Sequence, residues 1–501
     1  MNTSADSAAT SAPPTAGSDR APAVDVLIIG AGLSGIGAAC HLRRDCPEHS
    51  FLLLESRATL GGTWDLFRYP GIRSDSDMYT LGYSFKPWTD NSLLADGPSI
   101  LHYLTETARE YAVLPRIRYG HRALGADWDS QEQQWIVSVE IEGQEIQAWR
   151  CNFLFIAGGY YSYAQGHTPH FDQQERFRGQ LFHAQHWPED LDYKNKRVVV
   201  IGSGATAVTL VPEMARLTTS TIMLQRSPTY VASLPRENGM AAVLRRFLPM
   251  ALVYRFTRWK RVLIQILVYQ ISRQRPALLK GFLLDHVRQE LGPDFDVDTH
   301  FTPRYNPWDQ RLCAVPEGDL FEALREGRAE VVTDTIDHFT EHGLQLASGR
   351  HLDADIVVLA TGLNMQFAGD MQLSMDGHPV DLAAANLYRG MMLSNVPNMA
   401  TVFGYTNSSW TLKADLVSQY VCRLLNRMKK RSQHTVVARL AAGEAACEEP
   451  LLDFDAGYVL RAQDQFPRQG KKTPWRLYQN YLLDFFSLRF SKLNSKELHF
   501  K

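Results

Sequence analysis

The sequence carries few features of a secreted, metal-binding or nucleic-acid-binding protein. Its 501 residues include only six cysteines, at positions 40, 46, 151, 313, 422 and 447, without a C-x-x-C pair or zinc-ligand spacing. We therefore expect free thiols in a reducing compartment and no metal centre. The formal net charge of −2 carries no global signal for nucleic-acid binding.

Long hydrophobic runs are also missing. No apolar stretch approaches the roughly 20 residues that cross a bilayer as a helix. Residues 1–22 are rich in Ala, Ser, Thr and Pro and lack the apolar core of a signal peptide. We expect a disordered tail there, followed by a cytoplasmic protein long enough for two or three domains.

A dinucleotide-binding turn comes directly after the tail. The apolar run 24–29 predicts a buried parallel strand, and it leads into Gly30-x-Gly32-x-x-Gly35 and a helical segment. The second strand, 51–54, ends at Glu55, where a carboxylate can accept hydrogen bonds from a ribose diol. A tight strand–helix turn would explain the glycines but not the acid, so a nucleotide site is predicted.

A second turn of this kind differs at one informative position. Strand 197–201 leads into Gly202-x-Gly204-x-x-Ala207, and the next strand, 221–224, ends in Gln225-Arg226-Ser227. A carboxylate there would repel a 2′-phosphate, whereas Arg226 and Ser227 would bind it. The second site therefore suits NADPH rather than NADH, although a solvated surface arginine would also explain Arg226.

The segment before the second turn carries the most specific motif of the chain. Residues 177–188 follow the framework F-x-G-x-x-x-H-x-x-x-W-P. Together with the two glycine turns, this motif resembles the type I Baeyer–Villiger monooxygenases of the class B flavoprotein monooxygenases. The resemblance implies FAD and NADPH as cofactors and a ketone or sulfide and O2 as reactants. It also implies that oxygen is inserted beside the carbonyl through a C4a-peroxyflavin.

The same resemblance assigns roles to individual residues. Gly61-Gly62-Thr63-Trp64 and the segment 69–75 resemble the part of the family that lines the flavin, although their residues alone fit a structural loop as well. Arg311 matches the active-site arginine of the family, a permanent cation beside a peroxide anion, and Asp75 the acid near it. A structural ion pair would also explain Arg311, and a helix N-cap would explain Asp75, with Ser74 and Asp77 as equally good caps.

Two further motif residues are interpreted more conservatively. His183 and Trp187 lie in the interdomain linker of the family, and a buried, hydrogen-bonded histidine is the expected state of His183. One departure from many members is Gln310, which stands where they carry a lysine. The segments 306–311, 404–410 and 467–475 resemble the branch of the mycobacterial thioamide-prodrug activator and of monooxygenases linked to long-chain alkane use. Phosphate binding then depends more on Arg226 and Ser227.

The expected architecture is an α/β fold with two Rossmann-like domains. Strand 153–156 leaves the first part of the FAD domain, and Asp355–Gly362 ends in the Ala-Thr-Gly signature that closes an NADPH domain. These segments predict an FAD domain over 23–160 and 369–501. The NADPH domain is predicted over 161–368, with a helical insertion at about 236–300. The sequence does not specify the oligomeric state.

The insertion has an unusual composition. Residues 243–288 hold ten Arg and Lys residues, Asp285 as the only acid, and many large apolar residues. Helical spacing would separate these residues into an apolar and a cationic face. One interpretation is an ordinary helical subdomain with a solvated basic face. The other is peripheral contact with an anionic membrane, at its inner face, that admits apolar substrates.

Three other functions remain open at this stage. The chain could be an N- or S-oxygenating flavin monooxygenase without ketone activity, which would share both nucleotide turns. It could be an NADPH-dependent flavin reductase that transfers no oxygen, or a binding protein without turnover.

Overall fold

The computed structural model describes residues 22–310, 312–440 and 449–501. The predicted tail, Arg311 and Cys447 therefore lie outside the described residues, apart from position 22. The α-helices over these ranges are α1 (Leu33–Asp45), α2 (Thr63–Leu66), α3 (Met78–Leu81), α4 (Gly97–Glu110), α5 (Ala205–Met214), α6 (Gly239–Leu244), α7 (Met250–Gln274), α8 (Pro276–Leu291), α9 (Val297–His300), α10 (Asp319–Arg325), α11 (Trp410–Lys430), α12 (Gly457–Ala462) and α13 (Tyr481–Arg489).

The strands are short apart from those of a central meander. They are β1 (Ala23–Ile29), β2 (Phe51–Leu54), β3 (Ile117–Arg118), β4 (His121–Asp129), β5 (Gln134–Ile141), β6 (Glu145–Ile156), β7 (Tyr161–Gly166), β8 (Gln180–His183), β9 (Arg197–Ile201), β10 (Ser220–Gln225), β11 (Tyr230–Leu234), β12 (Leu312–Pro316), β13 (Ala329–Thr333), β14 (Ile336–Thr340), β15 (Gly343–Leu346), β16 (His351–Asp353), β17 (Ile356–Leu359), β18 (Leu363–Met365), β19 (Gln372–Met375), β20 (His378–Pro379), β21 (Leu387–Tyr388), β22 (Met392–Leu393), β23 (Met399–Thr401), β24 (Val436–Ala438), β25 (Glu449–Pro450), β26 (Arg468–Gln469) and β27 (Leu498–Phe500).

The first nucleotide fold is built on a nine-stranded sheet of order β20-β19-β4-β5-β6-β1-β2-β3, with β23 also paired to β6. Strand β1 lies parallel between β2 and the second half of β6. Its last four residues, 26–29, are buried on both faces, as is typical of a parallel strand. Val26 and Ile28 enter one hydrophobic core, and Leu27 and Ile29 enter another. The sheet thus separates two cores.

The second nucleotide fold is a five-stranded parallel sheet of order β13-β10-β9-β17-β8. It divides its own cores in the same way: Val198 and Val200 face one, and Val199 and Ile201 the other. The predicted α/β class with two Rossmann-like folds is confirmed. The strands of this sheet lie between 180 and 359, whereas the first sheet uses strands on both sides of that range. The exact domain boundaries stay a prediction.

The segment predicted to be a helical insertion contains helices α6 to α9, which lie between β11 and β12 in the sequence. Helix α7 is anchored on the first fold by Arg258, which is buried. The guanidinium donates to the carbonyl oxygens of Tyr79 at 2.8 Å and Gly82 at 2.6 Å, and it lies 3.4 Å from a carboxylate oxygen of Asp415. Arg258 is therefore not part of the solvent-exposed surface of the insertion.

Cysteine chemistry and membrane spans can be checked over the same ranges. None of the five cysteines that the structure describes forms a disulfide, and all five are buried. None of the helices in the described ranges combines the length and apolar character that a membrane span requires.

Candidate active site

In the first glycine turn, Gly30 and Gly35 lie too close to neighbouring backbone atoms for a side chain to fit. Gly30 has φ +99°, and a Cβ on it would lie 2.8 Å from the carbonyl oxygen of Ala157. A Cβ on Gly35 would lie 1.9 Å from the carbonyl oxygen of Gly30. Gly32 is the N-cap of α1, and no side chain caps this helix end. The free N–H groups there can bind an anion such as a pyrophosphate.

Glu55 is held beside this turn at the end of β2. Its Oε2 accepts a hydrogen bond from the Ala31 N–H at 2.8 Å, and its Oε1 accepts one from the Arg57 N–H at 3.0 Å. The side chain is 4 % exposed, and burial raises the pKa of the carboxyl in spite of these bonds. Glu55 lines the large cavity described below.

Thr63 and Trp64 begin the short helix α2 beyond the same turn. Thr63 follows Gly62, which has φ +58°. Trp64 is partly buried and packs against a core of the first fold. Both residues line the cavity.

The segment 69–75 belongs to the first fold by sequence but is packed into the second. Tyr69 is buried in a hydrophobic core of the second fold. Burial raises the pKa of Tyr69 to about 12, although a hydrogen bond to Thr206 opposes the shift. A Cβ on Gly71 would lie 2.4 Å from the Glu213 side chain of α5. The segment therefore lies against α5.

Asp75 follows this docked segment and lines the cavity. The alternative that it caps α3 is wrong, because Asp77 is the N-cap and accepts a hydrogen bond from the Thr80 N–H at 3.1 Å. Ser74, the other candidate cap, accepts a hydrogen bond from the Ser76 N–H instead. Asp77, and not Asp75, therefore caps α3.

The second glycine turn repeats the first with one change. Gly202 has φ +144°, and a Cβ on it would lie 2.3 Å from the carbonyl oxygen of Ala360. Gly204 is the N-cap of α5, again without a side-chain cap. Ala207 takes the third position and is fully buried, so a methyl group fits here where Gly35 leaves no space. This helix end can also bind a phosphate.

Arg226 and Ser227 follow β10 and are exposed. Their loop is tied to the second turn, because the Ser203 hydroxyl donates to the Ser227 carbonyl oxygen at 3.1 Å and lies 3.0 Å from the Thr229 hydroxyl. The Arg226 guanidinium and the Ser227 hydroxyl are therefore exposed near the N-terminal end of α5.

Arg311 lies outside the described residues, and its catalytic role stays a prediction. Farther along β12, Ala314 lines the cavity.

One cavity of about 510 Å³ joins these features. Residues of the first turn, including Gly30, Gly32 and Glu55, form one end. Ala205 and Thr209, from the first turns of α5, also line it. The cavity is thus lined by the first turn and, at Ala205, by one residue of the second turn, whereas Gly202, Gly204, Ala207, Arg226 and Ser227 are not among its lining residues.

The cavity has an aromatic wall that the sequence analysis did not assign. The Trp410 ring stacks on Tyr160 at a centroid distance of 4.7 Å, and its Nε1–H donates to the Ser34 hydroxyl at 2.8 Å. Tyr405 lines the same space. A signal for these residues exists: Tyr160 follows β6 and Tyr405 follows β23, and ligands bind at the carboxyl ends of parallel strands.

The linker histidine is hydrogen-bonded, as expected, but it is only half-buried. His183 Nε2 lies 3.0 Å from the Gly362 carbonyl oxygen, and Nδ1 accepts a hydrogen bond from the Gln185 N–H at 3.1 Å. Burial lowers the pKa of His183. Trp187 packs edge-on against Phe182, with a centroid distance of 5.2 Å.

The fold and the cavity together define an oxidoreductase with two nucleotide sites. The model of the FMO-like family, described as flavin-binding monooxygenase-like, matches residues 23–434. The chain therefore belongs to this family and is a flavoprotein monooxygenase, as the resemblance implied.

Named relatives extend over almost the whole chain. It is 51 % identical to the FAD-containing monooxygenase EthA of Mycobacterium tuberculosis, over 95 % of this chain and 97 % of the relative. It is 48 % identical to the probable FAD-binding monooxygenase AlmA of Acinetobacter sp, over 95 % of this chain and 96 % of the relative.

Solved structures agree in fold. An oxidized steroid monooxygenase bound to NADP is 21 % identical with a TM-score of 0.76, covering 95 % of this chain and 99 % of that one. An open structure of cyclohexanone monooxygenase is 17 % identical with a TM-score of 0.75, covering 96 % and 100 %.

Proposed function

We propose that the protein oxidises ketones to esters, a Baeyer–Villiger reaction, with sulfoxidation as a side activity. In this reaction a ketone gains one atom of O2 between the carbonyl carbon and a neighbouring carbon. The second oxygen atom leaves as water, with hydride from NADPH and one proton. The observation that carries the proposal is the single cavity lined from both glycine turns.

The cofactors are FAD and NADPH. The relatives named above contain or bind FAD, and the steroid monooxygenase was solved with NADP. In this chain the uncapped end of α1 and the Glu55 carboxyl group fit a pyrophosphate and a ribose diol. When bound, FAD supplies the redox chemistry that carries electrons from NADPH to O2.

For the second nucleotide, the end of α5 would hold the pyrophosphate. Arg226 and Ser227 would hold the 2′-phosphate, because a guanidinium and a hydroxyl form charge-assisted hydrogen bonds to it. Both are exposed beside the second turn. Selectivity for NADPH over NADH then follows from the charge of Arg226.

Arg311 and Asp75 have complementary roles in this proposal. Arg311 keeps a positive charge at neutral pH and would stabilise negative charge that develops on oxygen during transfer. Asp75, which lines the cavity, would hold the guanidinium in position. Asp75 is thus a positioning residue, and Arg311 is the catalytic one.

The proposed substrates are apolar. Leu81, Tyr160, Tyr405 and Trp410 line the cavity. These side chains suit an aliphatic chain better than a polar one, because its burial is favourable by about 0.8 kcal/mol per CH2 group. Long aliphatic ketones are therefore expected to be oxidised faster than small cyclic ones. Access from the inner face of a membrane, by peripheral contact, would fit such substrates.

Oxygen labelling tests the reaction. The purified protein is given NADPH, 18O2 and a panel of ketones and sulfides, and the products are identified by mass spectrometry. The proposal expects esters that carry one 18O atom. Sulfoxides or N-oxides without esters would indicate a heteroatom oxygenase, and NADPH oxidation without any labelled product would indicate a reductase.

A further inference from the structure

Helices α7 and α13 expose an apolar surface, here called the outer patch. It consists of Leu252, Phe256, Leu263 and Leu267 on α7, Phe486 on α13 and Phe490 directly after α13, and each of these residues is 51–63 % exposed. At 100° per residue the four positions on α7 fall within an arc of about 60°. An apolar stripe on the solvent side of a helix marks an interaction site.

The two halves of the outer patch are continuous. The Trp259 ring of α7 meets the Phe485 ring of α13 edge-on at 5.1 Å. Phe485 in turn contacts Phe486 at 5.5 Å and Phe490 at 5.7 Å. A chain of aromatic rings therefore links the stripe on α7 to the exposed Phe486 and Phe490.

The charges around the outer patch are of one sign. Helix α7 contains no acidic residue, and its exposed Arg255 and Lys260 flank the apolar stripe. On α13, Arg489 lies over the Phe485 ring at 5.4 Å. The only acid of that helix, Asp484, is paired with Lys413 at 2.8 Å. An apolar stripe with cationic flanks complements an anionic lipid surface.

A second copy of the chain would fit this surface less well. A two-fold interface brings the same patch of both copies together, so Arg255 and Lys260 would face like charges. The charge pattern therefore favours lipid over self-association.

The inner faces of the same helices touch the cavity wall. On α7, Gln265 accepts a hydrogen bond from the Ser408 hydroxyl at 2.6 Å and donates to the Asp77 carboxylate at 3.0 Å. On α13, Asp484 accepts a hydrogen bond from the Tyr405 hydroxyl at 2.7 Å. Ser408 and Tyr405 both line the cavity. The outer patch and the cavity are thus separated by one layer of helices, about 10–12 Å thick.

We propose that the outer patch docks on the surface of an anionic phospholipid bilayer and that long-chain apolar substrates enter the cavity between α7 and α13. The proposed docking depends only on the outer patch and the charges around it. The entry half rests on the proposed ketone oxygenation.

Vesicle flotation of the full-length, FAD-loaded protein tests the docking. The vesicles contain either phosphatidylglycerol with phosphatidylcholine or phosphatidylcholine alone, at low and physiological salt. We expect salt-sensitive flotation with the anionic vesicles. Phe256→Glu and Phe486→Glu should each weaken flotation by at least about tenfold, because each removes a phenylalanine that would be buried in the bilayer on docking. Lys260→Gln should weaken it about fivefold, and only on anionic vesicles.

Leu217→Glu is the matched control, because Leu217 is 50 % exposed but follows α5, outside the outer patch. It should float like the wild type. Docking is overturned if the wild type does not float at low salt, or if Phe256→Glu floats as well as Leu217→Glu. A wild-type dimer that Phe256→Glu converts to a monomer in light scattering would assign the patch to a second copy instead.

The entry half is tested with two ketones, one long-chain and carried in anionic vesicles, the other short and water-soluble. Phe256→Glu should slow oxygenation of the vesicle-borne ketone about tenfold and leave the soluble one unchanged. Equal rates for variant and wild type on both ketones would overturn entry through this wall. If neither ketone is oxygenated by the wild type, the proposed function fails, while flotation still decides the docking.

Discussion

Arg73 of the first fold is clamped by Asp319 of the second. Two hydrogen bonds join them, from Nη1 to Oδ2 at 2.6 Å and from Nη2 to Oδ1 at 3.2 Å. Both side chains are mostly buried, at 11 % and 17 % exposure, so solvent screens the pair only weakly. The pair holds segment 69–75 against α10, and this segment carries Asp75 into the cavity.

Asp319→Asn should therefore hold segment 69–75 less firmly without releasing FAD. Loss of a hydrogen bond to a charged group costs about 1.5–3 kcal/mol. We expect fewer oxygenated products per NADPH consumed and unchanged flavin content, measured by product analysis beside absorbance. Glu322→Gln, an exposed change on the same helix, is the control. Full coupling in Asp319→Asn would show that the clamp does not support the chemistry.

Arg226→Ala should raise the KM for NADPH far more than that for NADH. Removing a charge-assisted contact to phosphate costs roughly 1.5–3 kcal/mol of binding free energy. NADH lacks the 2′-phosphate, so its binding does not depend on this contact. Steady-state kinetics with both cofactors measures the difference. Arg216→Ala removes another exposed arginine of the same fold and should change neither KM. Equal effects of Arg226→Ala on both cofactors would reject the phosphate assignment.

Arg311→Ala should keep FAD and lose product formation, because the fixed cation beside the reacting oxygen is gone. Removing one such group typically costs about 10²–10³ in kcat. Flavin absorbance and product yield are the measurements. Arg304→Ala, an exposed change in the same segment, should retain turnover. Wild-type oxygenation by Arg311→Ala would remove this residue from the mechanism.

His183→Ala should lower turnover without releasing FAD, because His183 joins the linker to Gly362 at the end of the second fold. The hypothesis is that this contact couples the motion of the two folds. Trp187→Ala should act in the same direction. A variant with full coupled turnover would exclude the residue that it replaces.

The pH dependence of stability gives an independent test of His183. Its folded pKa lies below the unfolded value of about 6.5, because burial disfavours the charged ring. The contribution to stability is therefore complete above pH 6.5 and is lost as the pH falls toward the folded pKa. The Tm of the wild type should fall more than that of His183→Ala between pH 7.5 and 5.5. Parallel curves would contradict a buried neutral histidine.

The local chemistry of the nucleotide sites could be predicted because it depends on neighbours in sequence. Gly30, Gly35 and Glu55 follow two successive buried strands, and parallel strands bring their carboxyl ends to one edge of a sheet. The same rule placed Gly202 and Arg226. The helical insertion could be predicted from the spacing of its apolar residues, but the burial of Arg258 could not. Arg258 is buried because it donates hydrogen bonds to carbonyl groups more than 170 residues away in the sequence.

By itself, the sequence determined the family, the α/β class and the two glycine turns, because short-range spacing encodes strand, turn and helix. Only the tertiary structure decided that segment 69–75 packs into the second fold, that Tyr160 and Trp410 stack in the cavity, and that α7 and α13 form one surface. These contacts join residues far apart in the chain. They depend on how the two sheets pack and on which side chains fill the space between them, and no local pattern records either.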